Sequence, residues 1–115
     1  MMSMDPAQAI AALGALAHET RLAAFRLLVQ HGPEGLPAGA IAEALGLPPS
    51  SLTFHLQHLT RAGLITQRRL SRQLIYATDF AVMNALLAYL TENCCGRGVP
   101  ASGICRPPAI EERVP

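Results

Sequence analysis

The stretch that decides the fold runs from Ile41 to Arg61 and reads IAEALGLPPSSLTFHLQHLTR. The apolar spacing before Gly46 predicts one short helix, which begins near Pro37 in its first turn. After a tight link that contains two prolines, a second helix is predicted, and Gly63 closes it. Its apolar stripe is made of Leu52, Leu56 and Leu59. Two short helices joined by a tight turn indicate a helix-turn-helix.

The residues after Gly63 favour a β-hairpin. Residues 64–70 and 73–78 are short, β-prone runs, and Ser71 and Arg72 lie between them. We therefore predict a small hairpin with a basic tip. A helix-turn-helix followed by such a hairpin is the layout of a winged helix-turn-helix.

Helices are also predicted on both sides of this unit. Apolar spacing indicates a first helix over residues 6–16 and a second over about 19–31. Asp79 is suited to cap a fifth helix that runs to about Asn93. The fold is thus predicted to be mainly α with a small β-hairpin wing and about five helices. The apolar stripes of the first and fifth helices contain Ile10, Leu13 and Leu16, and Met83, Leu86, Leu87 and Leu90.

The length of 115 residues leaves room for one compact domain. We assign residues 1–95 to DNA binding and dimerisation, and residues 96–115, rich in Gly and Pro, to a flexible tail. A domain this short covers its apolar surface poorly, so the apolar helices at its ends are expected to form a dimer surface. The longest apolar stretch, Phe80–Leu90, is too short to span a bilayer, and the N-terminus lacks the pattern of a secretory signal. These features predict a cytoplasmic protein without a membrane partner.

The charges are unevenly distributed along the chain. No carboxylate lies between Glu43 and Asp79, and that interval holds four arginines. Such a patch favours contact with phosphate, although a solvated basic face has the same pattern. On the helix face opposite the leucine stripe, Ser50 and Gln57 are suited to base edges and Phe54 to a thymine methyl group. The predicted DNA-binding residues are Ser50, Ser51, Thr53, Phe54, Gln57, His58, Arg61, Arg68, Arg69 and Arg72. An exposed Phe54 would equally suit contact with a neighbouring helix, and His55 and His58 would equally suit ordinary positions at the surface or at the edge of the core.

Four motifs resemble the ArsR/SmtB family of metalloregulatory repressors over roughly residues 10–90. They are Ala15–Leu22 (ALAHETRL), Ile41–Leu47 (IAEALGL), Ser50–Leu56 (SSLTFHL) and Leu59–Ile65 (LTRAGLI). The resemblance implies a homodimer built on the first and last helices, with two recognition helices reading an inverted repeat in double-stranded operator DNA. It also implies a repressor that an inducer releases from its operator.

The sequence departs from the family pattern at the inducer sites. Many arsenic-responsive members carry a Cys-Val-Cys pair in the third helix, whereas residues 36–41 of this chain contain no thiol. Zinc-sensing members place Asp and His ligands on the last helix, but no His follows Asp79 here. Phe54 also stands where many members have Arg, so the resemblance does not give the operator sequence.

Three cysteines, Cys94, Cys95 and Cys105, are the thiols available to an inducer. Thiolates are soft ligands, and a pyramidal three-thiolate site suits trivalent arsenic or antimony. Arg97 and Arg106 would favour the thiolate form. We therefore predict As(III) or Sb(III) as inducer and no organic cofactor.

Other interpretations stay open at this point. The cysteines fit incidental thiols, a two-thiol site for an organoarsenical, or a disulfide switch in a redox-responsive or metal-independent winged-helix regulator. Zinc bound across a dimer has as candidate ligands only His18, Glu19, His31 and Glu92. Catalysis is not predicted, because all histidines precede residue 59, all cysteines follow residue 93, and no nucleophile–base set is visible.

Overall fold

A computed structural model of the chain describes residues 4–92, which form five α-helices and three β-strands. In chain order the elements are α1 (Pro6–Leu16), α2 (Glu19–His31), β1 (Leu36–Pro37), α3 (Ala38–Leu45), α4 (Pro49–Arg61), β2 (Ile65–Leu70), β3 (Gln73–Thr78) and α5 (Phe80–Leu90). The winged helix-turn-helix predicted from the sequence is confirmed, with α3 and α4 as the helix pair and β2 and β3 as the hairpin. None of the helices within residues 4–92 has the length and hydropathy needed to cross a membrane.

Polar side chains fix the first turns of the two outer helices. The Asp5 side chain accepts a hydrogen bond from the Gln8 amide at 2.8 Å, and the Gln8 side chain accepts one from the Asp5 amide at 2.9 Å. This reciprocal capping box starts α1. Asp79 accepts from the Val82 amide at 3.2 Å, which confirms the predicted cap of α5.

The fifth helix is shorter than predicted. It ends at Leu90 instead of running to about Asn93, a residue outside the described range. Thr91 is the C-cap, and its hydroxyl donates to the Leu87 carbonyl at 2.8 Å. A threonine hydroxyl that binds a carbonyl of the preceding turn competes with the backbone for that acceptor, which suits a helix end.

The sheet is antiparallel with the strand order β1-β3-β2. Ser71 adopts φ 60° in the two-residue turn that joins β2 to β3, as a tight hairpin requires. The prediction that Pro37 lies in the first turn of α3 was wrong, because Pro37 is extended and precedes the helix as its N-cap. Together with Leu36 it forms β1, which pairs with Ile75 and Tyr76 of β3.

The core lies where α1, α2, α3, α4 and the sheet meet. The leucine stripe of α4 is fully buried, as predicted. The stripes predicted for the outer helices are only partly buried, since α1 buries its alanines and α5 buries Leu86. The exposed apolar residues of these two helices are Ile10, Leu13, Leu87 and Leu90.

Candidate nucleic-acid interface

Helix α4 presents one polar face to solvent because its other face is fixed in the core. Leu52, Leu56 and Leu59 have no exposed surface, so the helix cannot rotate without opening the core. The exposed Thr53 hydroxyl donates to the Pro49 carbonyl at 3.0 Å, so its oxygen can still accept a hydrogen bond. The opposite face is therefore held in a defined orientation.

The predicted recognition residues lie on that outward face. Phe54 is 60% exposed, and none of the helices within residues 4–92 covers it. Its ring meets the edge of the His55 ring, with 5.6 Å between centroids. His58 is half-buried, and the remaining predicted residues of this helix, Ser50, Ser51, Thr53, Gln57 and Arg61, are exposed.

The wing and the recognition helix approach each other at a shared groove. Thr53 of α4 and Arg72 of the wing tip line this groove, which has a volume of about 350 Å³. The start of α3 closes it on another side through residues 37–39. The N-cap of α3 is Pro37, whose side chain makes no capping hydrogen bond, so the first amides of α3 keep their capacity to donate. The groove thus combines a guanidinium, a hydroxyl and helix amides, which are common phosphate partners.

The three wing arginines differ in their surroundings. Arg68 donates from Nη2 to the Glu34 carbonyl at 2.9 Å, so it also fixes the wing to the loop after α2. Arg69 and Arg72 are exposed. Sequence reasoning missed the contributions of Glu34 and of residues 37–39, because both depend on contacts between segments distant along the chain.

Two histidines at the edge of the recognition face are held toward their neutral form. Desolvation lowers the pKa of His55, and the nearby His18, Arg21 and His58 lower it further. The pKa of His58 is lowered by desolvation and then by the Arg21, Arg61 and His18 charges. The predicted DNA contact of His58 is therefore that of a neutral ring at pH 7, able to donate and accept one hydrogen bond each.

The predicted inducer ligands Cys94, Cys95 and Cys105 lie outside the described residues, as does the tail of residues 96–115. Between residues 4 and 92, no three His, Cys, Asp or Glu side chains are gathered so as to hold a metal ion. The zinc candidates His18 and His31 lie at opposite ends of α2 within a protomer. A zinc site containing both would have to recruit the second one from another chain.

Comparison with known proteins agrees with this geometry. Residues 16–68 match the family described as "Helix-turn-helix domain". The transcriptional activator HlyU of Vibrio cholerae is 29% identical over 94 residues, which are 82% of this chain and 84% of HlyU. The solved structure of HlyU superposes with a TM-score of 0.62 at 28% identity, covering 82% of this chain and 99% of that chain.

Two further solved structures have the same fold. An ArsR-like transcriptional regulator from Rhodococcus sp. RHA1 has a TM-score of 0.65 and 25% identity, over 76% of this chain and 78% of its own. The homodimeric winged helix-turn-helix DNA-binding domain of Mb0332 from Mycobacterium bovis, a possible ArsR-family transcriptional regulator, has a TM-score of 0.60 and 26% identity, over 87% and 98%. These relatives are regulators, which favours the predicted absence of catalysis. The recognition helix, the wing and these matches together show a winged helix-turn-helix chain that is similar to transcriptional regulators of the ArsR and HlyU type.

Proposed function

We propose that this regulator is a homodimeric repressor which trivalent arsenic or antimony releases from its operator DNA. The observation that carries DNA binding is the groove shared by Thr53 of the recognition helix and Arg72 of the wing. A duplex whose major groove receives α4 brings a backbone phosphate close to the wing tip. The exposed Gln57 and Phe54 then face base edges, and Arg72 and the start of α3 face the phosphate.

The dimer is supported by the apolar surface of the two outer helices. Helices α1 and α5 contact each other, and both expose large apolar side chains. Ile10 is 69% exposed and Leu90 is 52% exposed. Side chains of this kind favour burial against a second copy, since each releases about 1.5–3 kcal/mol when fully buried. The homodimeric state of the Mb0332 domain supports a homodimer for this chain as well.

The inducer half of the proposal rests on the chemistry of the three cysteines. Arsenous acid exchanges its three hydroxyl groups for the sulfurs of three cysteine thiols. Each thiol proton leaves with a hydroxyl group, so three waters are released and the oxidation state of arsenic does not change. Cys94 and Cys95 follow α5 closely in sequence, and Cys105 comes ten residues after Cys95. Binding of one ion by all three would constrain the chain just beyond a helix of the proposed dimer surface. Release requires tighter ion binding to the form that does not bind DNA, and typical coupling is about 1–3 kcal/mol.

A titration tests the proposal directly. The full chain is first used to select a binding duplex from a random-sequence library, and binding is followed by fluorescence anisotropy. Arsenite is then added to the complex of the wild type and to that of the triple variant Cys94→Ser, Cys95→Ser, Cys105→Ser. We expect release of the wild type and retention of a variant that binds DNA equally well without arsenite.

The other outcomes have defined meanings. Release of the triple variant by arsenite would contradict the thiolate site. If the wild type is insensitive to arsenite but loses DNA binding on peroxide and recovers it on reductant, a redox switch would replace the thiolate site.

A variant Ile10→Glu that remains dimeric in sedimentation velocity would contradict the dimer surface. Because HlyU is named as an activator, a reporter placed behind the selected duplex decides whether this chain represses.

A further inference from the structure

Arg21 is a buried cation that the DNA-binding surface does not use. It is only 9% exposed, although a guanidinium stays charged at any ordinary pH. Its Nε donates to the Ala15 carbonyl at 2.6 Å, and its Nη1 lies 3.3 Å from Nδ1 of His55. Burial of a charge is costly unless hydrogen bonds compensate it, so these two acceptors are important to the position of Arg21.

The two acceptors belong to different helices. Ala15 lies in the last turn of α1, and His55 lies on the recognition helix α4, adjacent to Phe54. Arg21 itself lies in the first turns of α2. One side chain therefore ties the recognition helix to the helix that carries the proposed dimer surface.

The connection to His55 depends on the protonation state of its ring. Arg21 has only donors, so Nδ1 of His55 must be an acceptor, and the ring must be neutral with its proton on Nε2. The His18 ring lies 4.6 Å from the His55 ring, and His18 uses its own Nδ1 to accept from the Thr20 amide at 3.1 Å. Protonation of either ring at Nδ1 would turn an acceptor into a donor.

The charges around His55 also favour its neutral form. The ionisable groups that influence His55 are His18 at the start of α2, Arg21 within α2 and His58 on α4. Each of them is cationic or becomes cationic on protonation, and each lowers the pKa of His55 in addition to the effect of burial. The neutral ring that Arg21 requires is therefore also the favoured one.

We propose that Arg21 is a positioning residue for DNA binding, which holds the recognition helix against α1 and α2 through the neutral His55 ring. In a dimer built on α1 and α5, this link also sets the spacing of the two recognition helices. The inference rests on the proposed function, because it assumes that α4 reads DNA. It assigns a role to the arginine of the motif Ala15–Leu22, which is not on the recognition face.

The test is the affinity of the full chain for the library-selected duplex as a function of pH. Arg21→Met keeps the length of the side chain and removes its donors, and we expect it to lower affinity about tenfold at pH 7.5. Arg21→Lys retains one donor group and is expected to recover part of the loss. His55→Asn keeps an acceptor at the position of Nδ1, so it should bind like the wild type at pH 7.5. His55→Gln moves the acceptor away from that position and should bind about fivefold more weakly.

The pH profile separates positioning from folding. As the pH is lowered from 7.5 through the lowered pKa of His55, the wild type should lose affinity relative to His55→Asn, which cannot titrate at this position. His31→Asn, the same substitution at the exposed far end of α2, is the matched control and should follow the wild type. Circular dichroism and sedimentation velocity establish which variants are folded and dimeric.

Three results would overturn the inference. They are wild-type affinity in a folded Arg21→Met variant, equal affinities of His55→Asn and His55→Gln, and a wild-type pH profile in His55→Asn. If Arg21→Met does not fold, the pair of His55 variants decides alone. If the wild type selects no duplex at all, the proposed function fails rather than the role of Arg21.

Discussion

Gly35 lies at the point where the loop after α2 enters the sheet. Its φ of +77° is in the left-handed region, and an added Cβ would collide with the Tyr76 carbonyl oxygen and lie 3.0 Å from Cγ2 of Ile75. We expect Gly35→Ala to destabilise the protein by about 2–3 kcal/mol, because it adds backbone strain to a steric collision. The measurement is thermal unfolding by circular dichroism.

Gly39 provides the matched control for this substitution. It lies in α3, its φ is not positive, and an added Cβ would have no described atom within 4 Å apart from its chain neighbours and the backbone of its own helix. Gly39→Ala should therefore be neutral or raise stability by up to about 1 kcal/mol, as is usual in an exposed helix position. Equal melting temperatures for Gly35→Ala and the wild type would contradict the steric argument.

Thr78 is a buried residue whose hydroxyl has no hydrogen-bond partner among the described residues. It is 4% exposed at the end of β3. Thr78→Val replaces the hydroxyl by a methyl group of similar size, so we expect unchanged stability or a gain of up to about 1–2 kcal/mol. The midpoint of urea unfolding measures the change. Thr60→Val is the comparison, since the Thr60 hydroxyl donates to the Leu56 carbonyl at 2.8 Å and its removal should not stabilise.

At the scale of the elements, local signals decided how much could be predicted from the sequence. Helix α4 was predictable because it contains a three-leucine stripe and has prolines and glycines at its boundaries. The hairpin was predictable because its turn lies between two β-prone runs. Strand β1 was missed because it has only two residues and forms through pairing with Tyr76, forty positions away in the chain. The end of α5 was misplaced because the periodicity of its apolar residues does not show the cap at Thr91.

The part of the candidate site that lies on α4 could be predicted, because the buried face of a helix determines which residues lie on its exposed face. The buried stripe of α4 fixes which residues face outward, and the sequence is sufficient for that inference. The approach of Arg72 to Thr53 and the bond from Arg68 to the Glu34 carbonyl depend on tertiary contacts. The thiolate site stays a prediction, since its cysteines lie outside the described residues.

The wing should contribute to affinity through phosphate rather than through base recognition. Arg72 lines the groove beside Thr53, so we expect Arg72→Gln to weaken binding to all duplexes similarly and to reduce the salt dependence of affinity. Each phosphate contact contributes about 1 to the logarithmic salt slope, and a dimer loses two, so the slope should fall by about 2. Anisotropy titrations at several salt concentrations give this slope.

Two further substitutions serve as controls for the Arg72→Gln prediction. Gln57→Ala, on the outward face of α4, should change the preferred sequence while leaving the salt slope nearly unchanged. Arg26→Gln removes an equal charge from α2, where Arg26 lines a groove with α5 residues such as Met83. Arg26→Gln should change neither the preferred DNA sequence nor the salt slope. A slope unchanged by Arg72→Gln would place the wing tip away from the DNA.

The whole protomer has two surfaces that suit partners of different chemistry. One is apolar and belongs to α1 and α5, and the other is polar and cationic and belongs to α4 and the wing. DNA binding by a dimer would require a fixed geometry between these two surfaces. The buried contacts of Arg21 with Ala15 and His55 join the helices that carry these surfaces, so the proposed positioning role of Arg21 would couple the fold to the relation between dimer and DNA.

The lowered pKa values of His55 and His58 make the stability of the whole molecule dependent on pH. The pKa of His55 and that of His58 are lowered in the folded protein, so the unfolded chain binds more protons once the pH falls below about 6.5. The free energy of unfolding should therefore be highest above that pH and decrease as the pH falls through the folded pKa values. Urea unfolding from pH 8 to pH 5, at one protomer concentration, measures this slope. His55→Asn should flatten it, whereas His31→Asn should not, and equal slopes in the wild type and His55→Asn would show that the neutral His55 ring does not stabilise the fold.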